Sequence, residues 1–410
     1  SVHSWRTNAC VTPGGIALRD YDFQKPRADI DTSLHGKQKH SRHTVTTMYE
    51  FPGQYTEVKD GDKRARVRLE ELHAQDDIVE ATCDASGLNA GALFTLEEHP
   101  REAENQEYLV TAFAIEADSG AFESGDGGST QFAAKLRCIP RKVPFRPARL
   151  TPGPGVAGAQ TATVVGKDEG EPSTDKHGRV RVHFPWNLAR TADKSADPPD
   201  DDTSCWVRVA QAWAGSGFGG VFIPRAGQEV IVEFLDGNPD RPLVTGSVYN
   251  SRNKVPYDFP TEVSRSGIKT RTLDKGGVDD FNEIRFDDKK SEEELFIQAQ
   301  KNLTTNVKND CATTIGNDET RTVENNLKLT VSKGKYDTFV DKDSASINVP
   351  ESKHTIAAKE IFDIAGQKIS LELPTSSIVI DDKGITISVI GSTITLGPQG
   401  ISIEGQASKV

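Results

Sequence analysis

The sequence has no long hydrophobic run, and no window approaches the roughly 20 apolar residues that a membrane-spanning helix needs. The start, Ser1-Val2-His3-Ser4-Trp5-Arg6, also lacks the basic-then-apolar order of a signal peptide. Cysteine is scarce: Cys10, Cys83, Cys138, Cys205 and Cys311 are an odd number with no close pair. Neither a disulfide framework nor a paired-cysteine zinc site is available, and buried reduced thiols are expected. Aromatics make up 7% of the chain, little for a packed α/β enzyme. Positive charge is outnumbered, with Lys+Arg 49 against Asp+Glu 61 and a formal net charge of -12. Such a balance repels phosphate backbones and anionic membranes, so no nucleic-acid partner is expected.

What is plentiful is glycine, 35 residues in a chain of 410, and short strand-like runs between turns. The length provides for two or three domains, and the pattern is mainly β with a small α+β part. In residues 1–150, Asp62 is placed to cap a short helix with Ala65, Leu69 and Leu72 on one stripe and Arg64, Arg68 and Glu71 facing water. Strands are expected over 78–83, 92–96, 108–116 and 131–139, with turns such as His99-Pro100 and Asp126-Gly127-Gly128. Pro140, Pro144, Pro147, Pro152 and Pro154 then mark a stiff linker. Residues 158–250 hold five short strands (162–165, 179–184, 205–210, 229–235 and 243–248), which suit a small closed barrel of the OB type. Residues 251–290 read as a neck.

Residues 291–410 carry a repeat. Val307, Ile315, Val323 and Val331 stand eight residues apart, each followed by a turn-forming triplet such as Gly316-Asn317-Asp318. Leu303, Cys311 and Leu327 fill half-period positions, a series that Glu319 breaks. Eight residues allow one strand and one turn, the unit of a β-solenoid. One such wall carries too little apolar surface to offset about 1–2 kcal/mol per residue of backbone ordering. A single-chain coil needs roughly 18 or more residues to go round a core. Three copies, each giving one wall per layer, close a prism; the expectation is a parallel homotrimer on the order of 60–70 Å long, with these residues as its core. A disordered polar tail would not need the fixed interval, and an intramolecular sandwich would have hairpin turns of varied length. Later, Ile378-Val379-Ile380, Ile385-Thr386-Ile387, Ile394-Thr395-Leu396 and Ile401-Ser402-Ile403 alternate with the strand period.

The run Asp175-Lys176-His177-Gly178-Arg179-Val180-Arg181-Val182-His183-Phe184-Pro185-Trp186, then Cys205-Trp206-Val207-Arg208-Val209-Ala210-Gln211 and Trp213-Ala214-Gly215, resembles the VgrG spike proteins of type VI secretion systems. Further matching runs are Ile223-Pro224-Arg225-Ala226-Gly227-Gln228-Glu229-Val230, Gly237-Asn238-Pro239-Asp240-Arg241-Pro242 and Gly246-Ser247-Val248-Tyr249-Asn250. Leu18-Arg19-Asp20-Tyr21-Asp22-Phe23 is similar to the family's hub module and Ile284-Arg285-Phe286-Asp287-Asp288 to its neck. The resemblance implies a phage-hub-like module, an OB-fold barrel and a C-terminal triple-stranded β-helix formed by a homotrimer. It also implies a cell-puncturing spike that caps an Hcp tube, meets a PAAR-repeat tip protein, carries effector proteins and acts mechanically on a target-cell membrane. Such a spike is assembled in the cytoplasm and expelled by the machine. The last strands, with Ile394, Leu396, Ile401 and Ile403, are expected to form the apolar plateau on which the tip protein docks. The chain is expected to begin partway through the hub module and to end without a fused effector domain.

Enzyme chemistry has weak footing here. Gly215-Ser216-Gly217-Phe218-Gly219-Gly220 lacks the Lys-Ser/Thr of a phosphate loop and reads as a tight turn. His35, His40 and His43 stand among Lys37, Lys39 and Arg42, which repel a cation. Asp279-Asp280, Asp287-Asp288 and Asp381-Asp382 are sequence neighbours, whose side chains point to opposite faces of a strand and make poor acid/base pairs. The needle's lone histidine, His354, cannot make a His-x-His metal pair. No catalytic, cofactor or metal residue is expected; the alternatives weighed are a phage-type baseplate spike and a cell-wall-degrading enzyme.

Overall fold

The computed structural model describes residues 1–36, 39–40, 46–118, 131–187, 205–350, 353–359 and 367–405. The expected turn at Asp126-Gly127-Gly128 and part of the His35–His43 run, His43 included, lie outside them. The chain divides into two units, Ser1–Thr305 and Asn306–Val410.

The first unit opens with β1 (Val2–Ala9), β2 (Gly15–Leu18), β3 (Thr32–His35), β4 (Thr47–Glu50), α1 (Val58–His73), β5 (Asp77–Cys83), β6 (Leu93–Thr95), β7 (Glu107–Asp118) and β8 (Gln131–Pro140). They form a five-stranded sheet in the order β1-β5-β8-β7-β6 and a three-stranded sheet in the order β3-β2-β4. Val79, Ala81, Cys83, Val110, Leu136 and Cys138 alternate inward on the larger sheet and bury one face, with Tyr108 and Leu96. Glu104 is buried beside them; Trp5 Nε1 and Thr7 Oγ1 donate to it at 3.3 Å and the Tyr108 hydroxyl at 3.0 Å. Burial pushes the Tyr108 phenol up to about 12 and the Cys138 thiol up to about 12, so both stay protonated.

Helix α1 packs Ala65 and Leu69 on Ile16, Leu18, Ile30 and Tyr55. It begins at Val58, four residues before the expected cap at Asp62. Gly61 sits inside the first turns despite glycine's poor helix propensity, and a Cβ there would stand 2.6 Å from the Tyr55 ring, so close packing requires the glycine. Arg68 and Glu71 were expected to face water, and the structure corrects this. Glu71 is buried, and Arg68 bridges it (2.6 Å) to Glu50 (2.7 Å). Arg149, from the proline-rich linker, reaches Glu50 at 2.9 Å and gives its backbone N–H to Glu71 at 2.9 Å. Burial raises both carboxyls, but the hydrogen bonds and charges of the two arginines outweigh it and hold them below the ordinary carboxylate range.

The barrel follows as β9 (Gln160–Val165), β10 (Val180–His183), β11 (Trp206–Val209), β12 (Glu229–Phe234) and β13 (Pro242–Val248), closed in the order β10-β11-β13-β12-β9. All pairs are antiparallel except β11 with β13. Its core is nearly all valine: Val164, Val180, Val182, Val207, Val230, Val232 and Val244, with Ala162. β-branched residues fit a small barrel interior, each contributing about 1.5–3 kcal/mol on full burial. The hub-like part is fastened to the barrel by Phe23, whose ring lies 5.3 Å from the Arg179 guanidinium and 4.9 Å from that of Arg208. Arg241 and Asp20 pair nearby at 3.6 Å.

A three-stranded antiparallel sheet of β14 (Arg265–Lys269), β15 (Glu283–Asp287) and β16 (Glu294–Gln298) follows. In the second unit, β17 (Ile369–Leu373), β18 (Ser376–Asp381), β19 (Gly384–Val389), β20 (Ser392–Gly397) and β21 (Gly400–Gly405) form one antiparallel meander. Each octad was expected to hold a strand. Residues 301–350 instead form no strand and have no ladder partners in their own chain. Cysteine burial is also corrected: Cys83 and Cys138 are buried, whereas Cys10 and Cys205 flank strands and Cys311 sits on the octad wall, all three exposed.

Candidate functional site

Among the described residues no group of three or more His, Cys, Asp or Glu is arranged so that it could hold a metal ion, nor is any helix there long and apolar enough to cross a membrane. The surfaces that stand out are apolar, and two of them lie in 306–405.

The first is the octad wall. Bends fall at Lys308-Asn309, Gly316-Asn317, Glu324-Asn325 and Ser332-Lys333-Gly334, then, after a step of nine, at Asp341-Lys342-Asp343. Val307, Ile315, Val323 and Val331 precede successive bends, each 44–47% exposed, and Val340 repeats them at 46%. The five are nearly equally exposed. Leu327 and Cys311, at half-period positions, are exposed as well, and so is Leu303, which falls at the end of the first unit.

The second surface is one face of the meander. The register sets Leu371, Ile378, Ile387, Ile394 and Ile403 side by side in one row across all five strands. Ile369, Ile380, Ile385, Leu396 and Ile401 make a parallel row beside it. The residues expected to form a separate tip, Ile394, Leu396, Ile401 and Ile403, are therefore the last two strands of this face. The opposite face carries Ser377, Thr386, Ser388, Thr393 and Thr395, and Glu372, whose carboxyl is held below its usual range by hydrogen bonds from Ser370 and Lys368. The apolar face has no cover: in the three inner strands the residues of the two rows are 37–41% exposed, no more buried than a bare sheet face leaves them.

The sequence showed the alternation but not the pairing, and missed these rows. The usable signal was a glycine at three of the turns: Gly384, Gly391 and Gly400 have φ of 128°, 74° and 121°, the left-handed side that tight hairpins need. At Gly384 a Cβ would also collide with the Leu396 carbonyl. Val340 was missed because it breaks the interval by one residue.

Family models cover these regions in turn. Residues 1–121 match the phage tail baseplate hub, 160–249 the type VI secretion system/phage-baseplate injector OB domain, and 266–377 the bacteriophage T4 gp5 C-terminal trimerisation domain. The chain is 43% identical over 309 residues to the type VI secretion system spike protein VgrG1b of Pseudomonas aeruginosa, covering 75% of this chain and 41% of that protein. With VgrG1a of the same organism it is 41% identical over 312 residues, 76% of this chain and 47% of the relative. The actin cross-linking toxin VgrG1 of Vibrio cholerae is 32% identical over 383 residues, 93% of this chain and 31% of the toxin. The chain thus spans less than half the length of each of these relatives. Hub, barrel and trimerisation segment, in that order and with this identity, make the chain a member of the VgrG spike protein family.

Proposed function

We propose that the chain is the body of a cell-puncturing spike in a type VI secretion system, acting mechanically rather than as an enzyme. Three copies join in parallel through residues 306–405. The octad walls close around Val307, Ile315, Val323 and Val331, and the apolar faces of three meanders close around their isoleucine rows. The hub-like module seats on an Hcp tube, the last strands take a PAAR-repeat tip protein, and effector proteins travel with the assembly. The spike is put together in the cytoplasm and leaves through the machine.

The observation that carries this reading is the uncovered apolar face of the meander. A sheet that worked alone would turn its hydroxyl face to water and cover its isoleucines; here the isoleucines are left for something else to cover. The repeat gives the number of walls, since eight residues make one side of a prism. The test is the mass of the full chain in solution by sedimentation equilibrium. Three times the chain mass is expected at micromolar concentration, and a monomer with 306–405 still ordered would overturn the reading.

A further inference from the structure

The loop that joins β11 to β12 is not used by the proposed assembly of the needle. From Ala210 to Pro224 it contains no Asp, Glu, Lys or Arg, in a chain that is 27% charged. Charge depletion of this kind marks the core of an interface. Four large apolar side chains face outward on it: Trp213 65%, Phe218 60%, Val221 73% and Phe222 59% exposed.

The loop is also built to hold that shape. Gly215 N–H donates to the Phe218 carbonyl at 2.8 Å and Gly220 N–H to the Trp213 carbonyl at 2.9 Å. Gln211 uses its side-chain amide twice on Phe222, accepting the backbone N–H at 2.9 Å and donating to the carbonyl at 3.2 Å. The Trp213 and Phe218 rings meet edge to face at 5.4 Å. Two glycines make the fold of the loop possible. A Cβ at Gly215 would run into the Phe218 ring, and Gly219, at φ 140°, leaves no room beside the Trp213 carbonyl. An apolar surface ordered in advance loses little entropy when it is covered.

We infer that this loop is a contact surface for a second copy of the chain, so that Trp213, Phe218, Val221 and Phe222 of one barrel pack on the neighbouring copy. The inference rests on the trimeric reading above and adds a contact in the barrel to those in the needle. Area is the first argument. With aromatic side chains offering on the order of 150–250 Å² each, these four present about 400–500 Å² of apolar surface. That is the size of the largest apolar patch on an ordinary monomer, which is often a functional one, and over half of the roughly 800 Å² that one partner gives to a stable interface. Chemistry is the second. Permanent interfaces between identical subunits are the apolar ones, whereas partners that come and go meet on more polar surfaces. A cyclic assembly also needs two different patches per copy, so one projecting loop is enough to serve one side of each contact.

The test uses the full chain with Phe218 replaced by photoreactive benzoylphenylalanine. Irradiation is expected to join copies of the chain into covalent dimers and trimers. The mass in solution is measured on the same sample. A trimer in which position 218 joins no second copy, or joins only other proteins, overturns the inference and leaves the trimeric reading standing. A monomer overturns both. A second variant, Trp213→Ser with Phe222→Ser, is expected to raise the concentration at which the copies half-dissociate by about tenfold or more. Unchanged dissociation with an unchanged far-ultraviolet circular dichroism spectrum would also overturn the inference.

Discussion

The barrel over 160–249 and the segment over 306–405 both carry regularly spaced apolar residues between short turns, yet they treat the problem of the core in opposite ways. In the barrel, eight side chains from Ala162 to Val244 point into a closed ring of strands and are 4% exposed or less. In 306–405 none of the described residues is buried, although Val, Ile and Leu recur there throughout. Apolar content alone therefore does not make a core; closure does. Five strands close on themselves in one chain because β11 pairs with β13, which shuts the ring. Octads cannot, and the open meander has two edges and two faces.

The contrast yields four measurements. The largest effect is expected from Ile315→Asp combined with Val323→Asp, which would place unpaired carboxylates in two layers of a shared core at several kcal/mol each. Sedimentation should show monomers, with the barrel still folded; normal trimers would show that these positions do not face the axis. Next, Val232→Ala in the barrel is expected to cost about 1–3 kcal/mol at any protein concentration. Val323→Ala, in contrast, should lower thermal stability only where the copies are associated, so a dilution series of melting curves separates the two kinds of core.

Smaller still is Gly384→Ala, which forces an L side chain into a left-handed turn against the Leu396 carbonyl. A loss of about 1–2 kcal/mol is expected, read as faster hydrogen exchange in β19 and β20 with the barrel unchanged. The smallest effect is on pH dependence. Because Glu50 and Glu71 have lowered pKa values in the folded chain, the unfolded chain binds more protons in that range. Their contribution is complete above the ordinary carboxylate pKa of about 4.3–4.5 and fades as pH falls through the folded values. Calorimetry should find Arg68→Met less stable than the parent at pH 7, with the gap closing below about pH 4. A gap that persists in acid would mean that Arg68 acts by packing alone.

The barrel was legible in sequence because alternation such as Val180-Arg181-Val182-His183 states strand and face together. The five expected strands overlap the observed ones to within about two residues. The octads were legible as a repeat from their fixed interval, though not as strands, which they do not form in one chain. The place of Gly61 inside α1 was not legible, since it rests on the packing of the Tyr55 ring, a contact between residues that no period connects. The placement of Arg68 and Glu71 was hidden too, because their partners Glu50 and Arg149 come from distant segments. The meander shows the limit of period reading: alternation gives the face of Ile387, but only the turn at Gly391 says that Ile394 is its neighbour.

In the proposed trimer, the change from eight-residue to nine-residue steps at Val331 and Val340 has a consequence for how identical strands of a rod would find each other. A thread of constant pitch lets one copy slide by a whole turn and still mesh, so misaligned bundles would be nearly as comfortable as aligned ones. A change of pitch, beginning between the bends at Ser332-Lys333-Gly334 and Asp341-Lys342-Asp343, would work as a keyway. It would fit only when all copies are level, and would turn a forgiving screw into an indexed shaft.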